Sequence, residues 1–114
     1  TLLSLRVDES LYFINARFLQ DLIQSRVTEG TKIRNVVLMF SAVNEVDYSA
    51  LESLEAINLR LKDMDVGFHL SEVKGPVMDR LNTSHLVKDL NGRIFLSQYL
   101  AAQVLTSRAA VVGS

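Results

Sequence analysis

Cysteine is absent from this chain, and with it go disulfides, thiolate metal sites and a thiol nucleophile, a composition that agrees with a reducing compartment. Proline occurs once, at Pro76, and tryptophan not at all. The five glycines form neither GxGxxG nor GxxxxGK, so no phosphate-binding fingerprint is present. No serine sits in a GxSxG elbow, and the two histidines, His69 and His85, belong to no HxxxH or HExxH pair. Charge of one sign never accumulates. Twelve bases and thirteen acids are interleaved to a net charge of −1, which leaves no basic patch for nucleic acid. No apolar run approaches the roughly 18–20 residues needed to cross a bilayer, and no signal peptide opens the chain. These absences argue against a catalytic site, a metal site, a bound cofactor and a nucleic-acid partner.

What is present reads as one folded domain. Apolar residues make up 48% of the 114 positions, enough for a core that stands without staples. The chain begins at Thr1 rather than Met, which points to a piece cut from something longer. The tail "RAAVVGS", from about 107 to 114, carries no pattern and is expected to fray.

Periodicity supplies the elements. Leu3, Leu5 and Val7 alternate with polar residues as a half-buried strand does. Leu11-Tyr12-Phe13-Ile14 reads as a second short strand, hairpinned to the first across Asp8-Glu9-Ser10. Asn15 is expected to cap a helix through Leu19, Leu22, Ile23 and Val27, with Gly30 as its stop. "VVLMF", Val36–Phe40, is apolar without alternation, the pattern of a strand covered on both faces. A helix follows with Leu51, Leu54, Ile57, Leu61 and Met64 in one stripe and Glu52, Glu55, Asn58 and Lys62 pointing elsewhere. Val66, Phe68 and Leu70 mark another strand, with His69 on its other face as an ordinary surface or half-buried imidazole. Pro76 suits the first turn of a short helix through Val77, Met78 and Leu81, and His85 lies in the loop beyond. Ile94-Phe95-Leu96 is a last strand, and Ser97 caps a helix through Leu100, Ala101, Val104 and Leu105. The order β-β-α-β-α-β-α-β-α predicts an α/β layer fold with a mixed, mostly parallel sheet.

The stretch that invites a functional reading is "NEVDYSALESLEAI", Asn44–Ile57. Asp8, Glu9 and Asp47 could suggest a phospho-aspartate receiver. However, Asp47 lies seven residues beyond Phe40, too far from the strand end for a phospho-acceptor, and a tight acid cluster would be needed to hold Mg²⁺. Ser49-Ala50-Leu51-Glu52 matches an S-x-x-E capping box, in which Ser49 and Glu52 would satisfy each other's amides. That structural reading leaves Asp47 and Tyr48 unexplained.

At these residues the chain resembles a STAS domain. "VDYSAL", Val46–Leu51, is similar to that family's loop between an apolar strand and a helix, and "VKGPVMDRLNTSHL" to its stretch between the fourth strand and third helix. "LYFINARFLQDLI", Leu11–Ile23, resembles the cytoplasmic STAS domain at the C-terminus of SulP-type sulfate permeases and related anion transporters. The resemblance implies a single STAS-like fold over 1–114 at the cytoplasmic face of a membrane, a non-enzymatic module that regulates transport or targeting. Leu11, Phe13, Ala16 and Leu19 would tie its front to the core. Asp47, Tyr48, Ser49 and Ala50 would form an interaction loop facing the membrane portion of its own transporter, another cytoplasmic protein or a second copy. Stand-alone family members, the anti-sigma factor antagonists, are phosphorylated on a serine directly after the loop aspartate; this chain has Tyr48 there, which speaks against that switch and against the antagonist alternative. A further alternative is weak nucleotide or anion binding at the helix start, on Ser49, Ala50 and Leu51.

Overall fold

The computed structural model describes residues 2–29 and 32–113, with 107–113 by backbone alone. Its elements run β1 (Leu2–Arg6), α1 (Phe13–Thr28), β2 (Asn35–Met39), α2 (Tyr48–Asp63), β3 (Gly67–Ser71), α3 (Gly75–Leu81), α4 (Leu86–Asp89), β4 (Ile94–Phe95) and α5 (Gln98–Gly113). The four strands form one parallel sheet in the order β1-β2-β3-β4. The α/β layer fold is as the sequence predicts, with β2 inside the sheet and Val36, Val37 and Leu38 all fully buried.

Alternation along β2 divides the core in two. Val36 and Leu38 join the larger cluster, which takes in Ala16, Leu19 and Ile23 of α1 and Leu54, Ile57 and Leu61 of α2. Val37 turns to the opposite face and packs with Phe95 and with Ala101 and Leu105 of α5. Side chains of neighbouring strand residues point to opposite faces, so α1 and α2 cover one side of the sheet and α5 the other.

The second strand does not form. Leu11 makes one isolated parallel bridge to Val46, and helix α1 begins two residues later. The run Leu11–Ile14 is apolar, but only Leu11 is buried, so nothing would cover the other residues of a strand there. Phe13 is exposed and ties nothing to the core, whereas Leu11, Ala16 and Leu19 do. Asn15 lies one turn inside α1 instead of capping it, and its Oδ1 accepts the Tyr12 amide at 2.7 Å. The Gly30 stop falls outside the described residues; α1 has Glu29 as its C-cap.

Two smaller expectations also change. Asn58 of α2 is buried rather than solvent-facing: its Nδ2 donates to the Asp89 carbonyl and its Oδ1 accepts the Asn91 amide. Met64 is exposed at the C-cap, because the chain leaves α2 through a reverse turn in which Val66 N–H donates to Leu61 O and Asp65 N–H to Lys62 O. The backbone of α5 runs from Gln98 to Gly113. Ser97 caps α5 as predicted, its Oγ accepting the Leu100 amide at 3.0 Å.

Candidate functional site

A parallel sheet brings the carboxyl ends of its strands, and the starts of the helices that follow, to one end of the molecule. There the segment from Phe40 to Asp47, between β2 and α2, is anchored from within by the buried Phe40, Val43 and Val46. It is also clamped from both sides. On the α1 side, Ser10 Oγ accepts the amides of Asn44 (3.1 Å) and Glu45 (3.0 Å), and Tyr12 O–H donates to Glu45 Oε2 at 2.6 Å. Leu11 N–H donates to Glu45 O and Asp47 N–H to Leu11 O. On the α3 side, Lys74 Nζ donates to Asn44 Oδ1 (2.6 Å) and Arg80 Nε to Val46 O (3.0 Å). The Glu45 carboxylate beside Tyr12 raises the phenol's pKa above its ordinary 10.0, chiefly through that hydrogen bond.

Because Asp47 is held extended by the Leu11–Val46 bridge, α2 starts at Tyr48 and Asp47 is its N-cap. Asp47 Oδ1 accepts the Ala50 amide at 2.8 Å, and Asp47 O accepts the Leu51 amide at 3.0 Å. This replaces the expected Ser49–Glu52 capping box, since Ser49 is already the second residue of the helix. The same cap bears on the residues named for anion contact. Both the Ala50 and the Leu51 amide are engaged by Asp47.

The four predicted loop residues are therefore adjacent but differently placed. Asp47 is half-buried and structural, Ala50 is buried, Ser49 is half-buried and Tyr48 projects outward. An open cleft of about 410 Å³ runs beside them, lined by Tyr12, Asn44, Glu45, Asp47, Val77 and Arg80 among others. Of these, Asn44 and Glu45 open the stretch marked from sequence, whereas Tyr12 and Arg80 were not singled out as belonging with this loop. The partners of Tyr12 and Arg80, Glu45 and Val46, lie 33 and 34 residues away, although Arg80 falls within "VKGPVMDRLNTSHL".

The remaining candidates are dispersed. Asp8 pairs with Arg6 at 3.0 Å, and Glu9 Oε1 accepts from Asn15 Nδ2, so the acids of the receiver reading are engaged separately. Among the described residues, no group of three or more His, Cys, Asp or Glu is placed to hold a metal ion. His85 is exposed at the start of α4. His69 is buried rather than half-exposed: its Nδ1 accepts the Arg93 amide at 3.0 Å, which places the proton on Nε2, 2.8 Å from Asn35 Oδ1. It ties β3 to the segment leading into β4 and to the start of β2, a structural role.

Comparison with known proteins agrees with this architecture. A family model described as STAS domain matches residues 1–101. Two Arabidopsis thaliana proteins are similar in sequence. Probable sulfate transporter 3.4 is 30% identical over 97 residues, covering 77% of this chain and 15% of that protein. Sulfate transporter 1.3 is 29% identical over 106 residues, covering 83% and 16%. The chain thus spans about a sixth of the length of these relatives. Among solved structures, a sulfate transporter family protein from Wolinella succinogenes superposes with a TM-score of 0.78 at 14% identity, covering 93% of this chain and 88% of that one. The murine anion transporter Slc26a9, in its inward-facing state, gives 0.77 at 19% identity, covering 95% and 18%. The SulP transporter STAS domain from Vibrio cholerae gives 0.76 at 16%, covering 96% and 84%.

Proposed function

The chain belongs to the STAS domain family, and on that premise we propose that its 114 residues are one regulatory and interaction domain of a sulfate or related anion transporter. The domain works by contact, holding its loop against the membrane portion of its own transporter at the cytoplasmic face, and makes or breaks no bonds. The observation that carries this reading is the combination at the start of α2. A loop fixed from two sides presents an exposed aromatic, Tyr48, on a backbone that cannot drift. Fixed presentation of an aromatic suits recognition, because little entropy remains to be lost on docking. The similarity to sulfate transporters, and the small share of their length that the chain spans, support attachment to a larger membrane protein. Among the described residues no helix is long and apolar enough to cross a membrane, so a spanning part would lie elsewhere in the parent.

The full-length reading frame tests this directly. Several apolar spans of roughly 20 residues must precede Thr1. A parent frame without them would return the chain to the antagonist type of STAS protein and remove the transporter from the account.

A further inference from the structure

The apolar side chains this protein leaves in water are not scattered. Ten large ones are exposed among the described residues, and eight of these lie within the first two turns of α1, α2 and α5 or just before them. Phe13 (57% exposed) and Ile14 (81%) open α1, Tyr48 (68%) opens α2, and Leu96 (91%) and Tyr99 (76%) flank the start of α5. Parallel topology gathers these three helix starts at the carboxyl end of the sheet. The two exceptions are Leu59, in the later half of α2, and Met64, its C-cap. Concentration of exposed apolar surface at one end marks an interaction face.

Charge says what kind of partner it fits. The segments leading from strands into helices carry Asp8, Glu9, Glu45, Asp47 and Glu72. Against them stand Arg6, already paired with Asp8, and Lys74. The turns at the opposite end carry Lys32, Arg34 and Arg93 against Glu29 and Asp65. The apolar end is therefore the acidic end. An anionic lipid surface would be repelled by it. Glu45 and Asp47 line the cleft next to Tyr48, and among the described residues the one cation lining it, Arg80, has its Nε engaged by the Val46 carbonyl.

We infer that this acidic, aromatic face docks a basic amphipathic helix, and that in the parent protein the helix is one of the Lys/Arg-rich cytoplasmic segments bordering the membrane spans. The inference rests on the transporter reading proposed above and names the face and the chemistry of the contact. Three helix starts engage together. Phe13, Ile14, Tyr48, Leu96 and Tyr99 take the apolar side of the incoming helix, and Glu9 and Glu45 take its charges.

The test is an amide-shift titration of the 114-residue chain with two 18-residue helical peptides, one built of Leu and Lys and one of Leu and Glu, alongside phosphatidylserine vesicles. The Leu/Lys peptide should shift Phe13–Ile14, Tyr48 and Leu96–Tyr99 together. Its affinity should fall at least tenfold in the Phe13→Ser/Ile14→Ser variant and in Glu9→Gln/Glu45→Gln, both with unchanged circular dichroism. Equal binding of the two peptides, shifts centred elsewhere, no shifts at millimolar peptide, or binding to the vesicles would each overturn the inference. So would movement of the same amides on concentrating the chain alone, since a second copy would then occupy the face. A parent lacking membrane spans would refute the transporter attachment whatever the peptides do, while failure of the peptides leaves that attachment standing.

Discussion

The start of α2 offers two residues able to cap it, and replacing each by alanine separates the geometry from the sequence pattern. Asp47 Oδ1 accepts the Ala50 amide at 2.8 Å and its charge lies at the positive end of a 16-residue helix. Losing an N-cap costs ~1 kcal/mol, and losing a carboxylate at a helix N-terminus adds about 0.3–1 kcal/mol. Asp47→Ala should therefore destabilise by about 1–2 kcal/mol. Ser49 lies inside the first turn, where alanine is the better helix former, so Ser49→Ala should stay within about 0.5 kcal/mol of the parent. Asp47→Asn, which keeps an accepting oxygen, should recover most of the cap. Urea unfolding followed by circular dichroism resolves this. With an m-value of about 2 kcal/mol/M, Asp47→Ala should lower the midpoint by roughly 0.5–1 M and leave the slope unchanged. If Ser49→Ala cost as much as Asp47→Ala, the cap assignment would be wrong and the S-x-x-E box would be the working one.

Three other outcomes follow from particular contacts. A Cβ on Gly92 would sit 2.1 Å from the Phe68 carbonyl oxygen and 2.8 Å from His69 Nδ1, so Gly92→Ala should destabilise by about 1–3 kcal/mol in the same unfolding assay. Asn58→Ala leaves the Asp89 carbonyl and the Asn91 amide without their partner and should cost about 1–3 kcal/mol, with hydrogen-exchange protection lost first around Asp89–Asn91. The Tyr12 phenol should ionise above 10.0, visible as the difference between ultraviolet pH titrations of the parent and Tyr12→Phe, and Glu45→Gln should bring it down. A phenol whose pKa is higher folded than unfolded holds its proton more tightly in the fold. Its stabilisation is therefore whole below pH 10 and disappears as the pH climbs through the raised value.

Much of the fold could be read from the sequence because burial there follows simple periods. The unbroken run at Val36–Leu38 is a strand covered on both sides, and the stripe Leu51, Leu54, Ile57 and Leu61 is the buried side of α2. Failures came where a distant contact decides. Leu11–Ile14 looks like a strand because all four residues are apolar, but only Leu11 finds cover, against Val46. Both Asp47 and Ser49 are good cap residues. The choice between them is made by the Asp47 amide bonding to Leu11 O, a contact no local pattern records. Asn58 reads as solvent-facing because its partners, Asp89 and Asn91, lie over thirty residues on. Helix α4 has four residues, too few to show a period. Within the loop marked from sequence the structure separates the residues: Asp47 caps the helix, Tyr48 faces outward, and Ser49 lies half-buried in the first turn.

The central claim is that the exposed start of α2 is a contact surface of a transporter, and it is tested most directly by anion uptake through the full-length parent carrying Tyr48→Ala. Because Tyr48 is exposed, the substitution should change fold stability by less than about 0.5 kcal/mol and leave the amount of protein at the membrane unchanged. Loss of an aromatic anchor worth about 1 kcal/mol would shift the docking equilibrium about fivefold, and the uptake rate would change with it. An uptake rate equal to that of the unsubstituted parent, at equal surface abundance, would contradict the claim.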